Sequence, residues 1–511
     1  MACNSYCDEV GFSLDEIKAV AAAGHLLTME VEFSQLCNFR CPYCYLENRP
    51  QDELTSDEIR DVILQGRDLG VRKVIILGGE PMIYPRILEK IRFIRNHGMD
   101  VEIFTNGSNM TAENATELAL LNVKVVLKMN TRDPEKQNRL CGLEDAYRII
   151  HEAFAHLTQA GYGAGGKPLA VSSVICSENI GELSEMWRWL REQQVDPYFE
   201  MITPQGEALE NAWLDVDTVR IKALFEEIHE IDRVEFGREW NVQPPLVGDR
   251  CLRHQFSCYI NAFGDVMPCV GVNLPVGNIR KNRLADILHD SEVIRDLRNY
   301  ENTIKGPCAS CEEKATCYGC RGAAYQVTGD YLASDPLCWK NIDKQSEIDR
   351  LPIAVDAFIP QRAPLKMADT LLTVGERCAT VETVLKPGNP FLNENNQLEP
   401  AAYVEIIAQS IAALNGFQMR HLDVKPEGFL MGAKNMVIHE SASGGDRLVT
   451  SIYKAYKFEG FGIIQGRIER DGLCLAEGEI KVYHKSSQVV GKPSGTKESP
   501  RKDAEEAEDV S

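Results

Sequence analysis

Three thiols fall within eight residues in Cys37-Asn38-Phe39-Arg40-Cys41-Pro42-Tyr43-Cys44, directly after a stretch that reads as a strand. Zinc knuckles pair their cysteines as CxxC units and need a fourth ligand nearby, and no His or further Cys adjoins this run. Three thiolates on one tight loop suit a four-iron, four-sulfur cluster whose fourth iron is left open to another ligand. A zinc or redox loop is the competing reading.

A second field holds Cys251, Cys258, Cys269, Cys308, Cys311, Cys317, Cys320 and Cys338. The run Cys308-x2-Cys311-x5-Cys317-x2-Cys320, with Cys338 distant, is not a set of evenly paired knuckles. Two structural zincs and two further iron–sulfur clusters both remain open on spacing alone. The other six cysteines, Cys3, Cys7, Cys141, Cys176, Cys378 and Cys474, are scattered, as small buried thiols usually are. An odd total of 17 in a chain without a visible secretory signal is a poor disulfide framework.

The elements that must position these groups alternate between two periodicities. Ser13-Leu14-Asp15-Glu16 is a capping box opening a helix that ends at Gly24, and Thr55-Ser56-Asp57-Glu58 opens another to about Leu69. Strands are expected at Met29–Phe33, Lys73–Leu77, Val101–Phe104, Lys124–Met129, Leu169–Ile175 and Tyr198–Met201, with helices between them. Six such units imply a parallel sheet covered by helices, and six strands fit an open, partial (β/α)6 barrel, so the fold class is α/β. In such sheets the chemistry sits at the strand C-terminal ends. From about 236 to 345 periodicity fades. Farther on, Pro400 and Gly416 bracket a helix with Ala401, Val404, Ile407, Ala408 and Ile411 on its apolar positions. Ile463–Arg470, Asp471-Gly472 and Leu473–Tyr483 read as a hairpin.

The Cys37, Cys41 and Cys44 spacing resembles the radical S-adenosylmethionine (radical SAM) superfamily. The resemblance implies that these thiolates hold the site cluster and that the amino and carboxyl groups of SAM chelate its fourth iron. Tyr43 then lies near the adenine. Gly78-Gly79-Glu80-Pro81, one strand later, is similar to the family's GGEP, where glycines let backbone approach a ligand and carbonyls plus a carboxylate receive an ammonium. Thr105-Asn106-Gly107 resembles a further family element, its alternative being an ordinary turn. Lys128-Met129-Asn130 stands where many relatives carry Ser-Leu-Asp. A lysine there meets a carboxylate of SAM or substrate, or is a solvated rim residue.

The second field resembles the SPASM extension of these enzymes: Cys251, Gly264 and Cys269 match its motif, as does Gly277-Asn278-Ile279. Cys317 and Cys320 depart from it, with two intervening residues where a common form has three. By resemblance, Cys251, Cys258, Cys269 and Cys320 take one auxiliary cluster, and Cys308, Cys311, Cys317 and Cys338 take another. The cofactors implied are three 4Fe-4S clusters and SAM, whose reductive cleavage gives a 5′-deoxyadenosyl radical.

The last third resembles hotdog-fold thioester dehydratases, an α+β domain. Ile359-Pro360-Gln361-Arg362 is similar to their N-terminal element, and Glu405 with Gln409 to the Glu and Gln of their central helix. No histidine occurs between His289 and His421, so the family's usual His upstream of the helix is missing and Gln361 stands in its place. Acyl or carrier binding, or dimerisation, is therefore expected ahead of dehydration. The domains expected are an N-terminal extension at 1–24, the barrel at 25–235, SPASM at 236–350, the hotdog at 351–485 and a disordered tail at 486–511.

At 511 residues, two to four domains are expected. With 55 basic against 76 acidic residues, the net charge of −21 argues against binding to nucleic acid or anionic membrane by bulk electrostatics. No apolar run is long enough for a spanning helix, and cytoplasm is the expected location. The reading is an oxygen-sensitive radical SAM/SPASM enzyme fed by a low-potential donor such as a flavodoxin or ferredoxin. Its substrate is a peptide or protein, or a carrier-bound acyl chain, with a homodimer through the hotdog domain. The alternative is an iron–sulfur sensor or scaffold without radical catalysis.

Overall fold

The computed structural model describes residues 12–46, 52–348, 351–375, 377–419, 428–458 and 460–484. Cys3, Cys7, His421 and the tail expected at 486–511 lie outside them. The chain divides into two compact units, Met1–Ile353 with Leu372–Glu376, and Ala354–Leu371 with Arg377–Ser511.

The first unit opens with α1 (Leu14–Ala23), whose Ser13–Glu16 capping box and left-handed Gly24 end are those the sequence announces. There follow β1 (Thr28–Glu32), α2 (Ser56–Asp68), β2 (Lys73–Leu77), α3 (Ile87–Asn96), β3 (Asp100–Thr105), α4 (Ala112–Leu120), β4 (Lys124–Lys128) and α5 (Pro134–Cys141). Then come α6 (Ala146–Gln159), β5 (Leu169–Ile175), α7 (Leu183–Glu192), β6 (Asp196–Met201) and α8 (Thr218–Glu235). Strands β1 to β6 pair in sequence order, all parallel, as the alternation predicts. One face of each strand is apolar and buried under the helices, through Met29, Val31, Val74, Ile76, Val101, Ile103, Val125 and Leu127.

The cysteine-rich region holds α9 (Arg253–Phe256), β7 (Tyr259–Ile260), β8 (Asp265–Met267), β9 (Gly277–Asn278), α10 (Leu284–Asp290), α11 (Glu292–Arg298), α12 (Tyr300–Thr303) and α13 (Arg321–Thr328). Strand β7 pairs parallel to β1, and β8 and β9 add antiparallel, so the sheet runs unbroken across the expected 235/236 boundary. Gly264 makes the β7–β8 turn at φ +83, where a Cβ would stand 3.0 Å from Ile279 and 3.1 Å from Leu54.

The antiparallel sheet of the last third contains β10 (Ile353–Ala354), β11 (Thr370–Val374), β12 (Cys378–Val384), β13 (Gly428–Ile438), β14 (Arg447–Phe458), β15 (Phe461–Arg470) and β16 (Leu473–His484), in the order β10-β11-β12-β14-β15-β16-β13. One long helix, α14 (Pro400–Gln418), buries Ile406, Ile407, Ile411, Leu414 and Phe417. Gly466 on β15 admits Ile407, whose side chain a Cβ would meet at 2.6 Å. Gly416 does not end the helix as expected; the helix continues to Gln418. Its missing Cβ serves packing instead, because one there would lie 2.1 Å from the Phe358 carbonyl oxygen. The hairpin turn has positive φ at Asp471 (51°) and Gly472 (79°), the left-handed pair that a two-residue loop requires.

Candidate active site

Strand β1 delivers the chain into the loop that carries Cys37, Cys41 and Cys44, and three glycine contacts hold that loop. Gly79 N–H donates to the Ser34 carbonyl (2.8 Å) and Glu80 N–H to that of Leu36 (2.9 Å). A Cβ on Gly78 would sit 2.5 Å from the Ser34 oxygen, and one on Gly79 2.2 Å from the Leu36 oxygen. These glycines thus admit the cysteine loop. Arg40 N–H donates to the Cys141 carbonyl at 2.9 Å, and a Cβ on Gly142 would stand 2.2 Å from the Arg40 oxygen. Glu207 N–H donates to the Cys44 carbonyl at 2.8 Å, beside Gly206, whose Cβ would lie 2.4 Å from that oxygen. Each cysteine-bearing stretch therefore has its own glycine seat.

The thiols are half-buried. Burial pushes those of Cys37 and Cys44 up to about 11, and Cys41 is raised by its contact with Cys141 and by burial. Without a bound cation the protonated form is favoured; a metal would displace those protons. Phe39 N–H and Asn106 Nδ2 donate to Cys37 Sγ at 3.4 and 3.7 Å. Asn106 Nδ2 also reaches Asn38 Oδ1 at 3.1 Å, so the Thr105-Asn106-Gly107 turn is tied to the cysteine loop.

Glu80, 2% exposed, is used internally. One carboxylate oxygen accepts from Thr105 Oγ1 (2.6 Å) and Met82 N–H (2.8 Å), the other from Asn106 N–H (2.5 Å). Burial outweighs these bonds and lifts its pKa to about 7. Pro81 is buried and opens the short turn Pro81–Ile83, so the carboxylate joins the ends of β2 and β3. The Tyr43 hydroxyl accepts from Asn130 Nδ2 at 2.6 Å, and the Lys128 ammonium stands 5.0 Å from the Tyr43 ring centroid. Lys128 is half-buried, not freely solvated, and burial lowers its pKa against the opposing field of Glu200.

The concave face of the sheet is charged, which the sequence reading did not anticipate. Lys73 Nζ lies 3.2 Å and Lys124 Nζ 3.8 Å from Glu102. Arg253 pairs with Glu30 and donates to the Tyr198 hydroxyl at 2.6 Å. Glu32, fully buried, accepts from Tyr259, and burial raises its pKa to about 7. One carboxylate oxygen of Glu30 and one of Glu32 are buried without a hydrogen-bond partner among the described residues. At the N-terminal ends of the strands a cavity of about 70 Å³ is lined by Glu30, Lys73, Glu102, Lys124, Arg253 and Cys251. The signal was present: charges at i and i+2 in Glu30/Glu32 and charges in β2, β3, β4 and β6 mark a polar face on strands otherwise apolar on both sides.

In the second cysteine field, Cys320 lies within electrostatic reach of Cys251 and Cys269, and Cys308, Cys317 and Cys338 within reach of one another. Cys258 is buried ahead of β7 in the field of Glu30 and Arg298, and Cys311 N–H donates to the Cys308 carbonyl. Backbone N–H groups of Val272, Gly319 and Ala323 each donate at 3.3 Å, to Cys269, Cys317 and Cys320 in turn. Burial is the leading cause that raises Cys251, Cys258, Cys269, Cys317, Cys320 and Cys338.

Arg321 is 1% exposed; its Nη1 donates to the Ala333 and Tyr331 carbonyls, while Nε and Nη2 have no partner among the described residues. Nη2 lies beside Gly319, a residue of the turn that joins Cys317 to Cys320. Both ring nitrogens of buried His254 are likewise unpaired among the described residues, and burial drops its pKa to about 3. The buried Asp335 carboxylate answers the charge of Arg321, but the unpaired N–H groups still call for acceptors, which thiols supply well only as thiolates. Metal-bound thiolates and cluster sulfides meet that need, so the residues fit iron–sulfur clusters. Among the described residues no three cysteine sulfurs lie within 4.8 Å of one another. Thiolates on a single tetrahedral zinc would stand about 3.8 Å apart.

On α14, Gln409 is fully buried. Its Nε2 donates to Glu405 (2.7 Å) and the Leu365 carbonyl (2.8 Å), and its Oε1 accepts from Met367 and Ala368 N–H (2.7 and 3.2 Å). Gln409 thus pins the 365–368 segment and orients Glu405. Gln361 has a buried Oε1 without a partner among the described residues.

Residues 31–189 match the radical SAM superfamily, 251–312 the SPASM iron–sulfur cluster-binding domain and 353–490 the ApeP dehydratase family. A PqqA peptide cyclase of Streptomyces rochei is 31% identical over 364 residues, 67% of this chain and 97% of that protein. An AdoMet-dependent heme synthase of Methanosarcina barkeri is 26% identical over 335 residues, 60% and 94%. The crystal structure of Streptococcus suis SuiB bound to precursor peptide SuiA aligns with a TM-score of 0.49 at 17% identity, over 64% of this chain and 79% of that one. The chain belongs to the radical SAM superfamily, as an enzyme with a SPASM iron–sulfur domain and a C-terminal ApeP-like, hotdog-type dehydratase domain.

Proposed function

We propose that this chain is a SAM-dependent radical enzyme that abstracts hydrogen from a peptide substrate. Cys37, Cys41 and Cys44 hold the site cluster. Cys251, Cys258, Cys269 and Cys320 hold one auxiliary cluster, and Cys308, Cys311, Cys317 and Cys338 the other. When bound, the site cluster and SAM supply a 5′-deoxyadenosyl radical. The observation that carries the reading is the cysteine loop seated on Gly79, Gly142 and Gly206, beside the Glu80–Thr105–Asn106 hydrogen bonds. That rigid seat fixes three thiols relative to the ends of β2 and β3, as radical chemistry requires of its cofactor.

Asn106, the backbone of Gly78 to Pro81, Tyr43 and Lys128 hold SAM at the strand C-terminal ends. Glu80 acts from behind, holding the strand ends together. Lys128 and Glu200 face the substrate, one offering a cation to a carboxylate and the other an acceptor to a donor group. A peptide substrate is supported by the Streptomyces rochei relative named PqqA peptide cyclase, which this chain covers almost end to end. A low-potential flavodoxin or ferredoxin supplies the electron, and the location is cytoplasmic.

The ApeP-like domain favours a second reading, a carrier-bound acyl substrate. Glu405 is oriented by Gln409, while Gln361 replaces the expected histidine, so that domain binds an acyl thioester without dehydrating it. The exposed edge strand β13 pairs it with a second copy.

Anaerobic incubation with SAM and dithionite is expected to yield 5′-deoxyadenosine. The triple variant Cys37→Ala/Cys41→Ala/Cys44→Ala is expected to lose that product and keep the auxiliary iron. Wild-type protein with all its iron and no 5′-deoxyadenosine would favour the sensor or scaffold alternative.

A further inference from the structure

Three side chains with metal-ligand chemistry meet far from either cysteine field in sequence: His439, just past β13, with Cys474 and Glu477 on β16. One ligand atom from each lies within 4.8 Å of the others, and His439 Nε2 is 3.3 Å from Glu477 Oε1. The backbone goes out of its way to bring them together. Residues 474 and 477 are three apart, so in a regular strand they would face opposite sides of the sheet. The β15–β16 register, however, passes from Ile468↔Ala476 to Glu469↔Cys474, leaving Leu475 as an extra residue. Leu475 and Ala476 are both fully buried, so two consecutive side chains point inward, and Cys474 is returned to the face of Glu477.

A second irregularity lies alongside. The β13–β16 register shifts between Lys434 and Val437, with Asn435 at φ 54°. It then resumes at Val437↔Glu477, and His439 N–H donates to the Leu475 carbonyl at 2.8 Å. Two bulges in adjacent strands thus converge on one triad, and bulges commonly re-aim side chains at functional positions.

An ionised thiol and carboxylate in the triad together outweigh the neighbouring guanidinium of Arg467. Arg467 is paired opposite Glu477 in the ladder and lies 3.5 Å from Glu477 Oε2, with its Nε on Glu469 at 2.9 Å. It orients the carboxylate with Oε1 towards His439. Imidazole, thiolate and carboxylate together suit borderline ions and not the hard, oxygen-seeking Mg²⁺ or Ca²⁺. Ligands on a zinc ion stand about 3.3–3.8 Å apart, within small rotamer changes of the distances here.

We propose that His439, Cys474 and Glu477 form a mononuclear site for a zinc-class divalent cation, oriented by Arg467. The ion ties the end of edge strand β13 to β16. With the His439 and Glu477 side chains 45% and 46% exposed, a fourth position stays open to water or an outside donor.

The test uses the full-length chain with its iron–sulfur clusters in place, titrated anaerobically with cobalt(II). Wild type is expected to bind one cobalt with a thiolate-to-cobalt charge-transfer band and tetrahedral d–d bands. The thiolate band should vanish in Cys474→Ser, and affinity should fall by about tenfold or more in His439→Gln and Glu477→Gln, iron content being unchanged. Cobalt binding equal in all four proteins, or a thiolate band that persists in Cys474→Ser, would overturn the site. Neither result bears on 5′-deoxyadenosine formation.

Discussion

Under the proposed cluster assignment, Arg321 is placed to act on an auxiliary cluster. Its buried guanidinium stands beside Gly319 of the Cys317–Cys320 turn, with two donors unpaired among the described residues. Positive charge and N–H groups beside a cluster favour its reduced, more negative state. Arg321→Gln is therefore expected to lower an auxiliary midpoint potential by on the order of 100 mV in EPR-monitored redox titration. An unchanged potential would remove the residue from this role. Glu32 carries a different consequence. Its carboxyl is raised by burial from 4.5 to about 7, so the folded state binds its proton more tightly than the unfolded chain does. The resulting stability is complete below the unfolded value and is lost as pH rises through 7. Between pH 6 and pH 8 the wild type should lose about 1 kcal/mol that Glu32→Gln does not, read from denaturant midpoints at the two pH values. Equal slopes for the two proteins would contradict this.

At the scale of elements, glycines decide where one backbone can lie on another. Gly79→Ala would place a methyl 2.2 Å from the Leu36 carbonyl, which neither chain can relieve without moving the Cys37 end of the loop. The expected outcome is loss of the site cluster's iron and of 5′-deoxyadenosine formation, with auxiliary iron retained, by iron analysis and Mössbauer spectroscopy. Gly416→Ala should destabilise the last third by about 1–3 kcal/mol, because α14 must then lift off Phe358. A thermal scan with no shift would argue against that contact. The same positions show what sequence does and does not disclose. GGEP and the helix around Gly416 are visible as patterns, but the groups they touch, Leu36 and Phe358, come from elsewhere in the chain. Gly142 and Gly206 look like ordinary turn residues, and only the docked loop gives them a task.

At the scale of the whole molecule, a radical SAM/SPASM unit and an ApeP-like, hotdog-type domain reside in one chain. The histidine missing upstream of Glu405 in sequence predicts that wild-type protein turns over little 3-hydroxyacyl thioester above background. Dehydration that disappears in Glu405→Ala would reverse that conclusion. The sequence by itself determined the order of elements, because period-3.6 and period-2 patterning and capping are local, and so placed all six barrel strands and the hairpin at Asp471-Gly472. It also determined the cysteine inventory, since thiol spacing within a loop is a local property. Only the tertiary structure decided which carbonyls the glycines admit, the charged concave face, and the burial that raises Glu32 and Glu80. The convergence of His439, Cys474 and Glu477 belongs with them. All of these depend on contacts between residues distant along the chain, or on bulges that shift which side of a strand faces out, and neither is written in any short stretch of sequence.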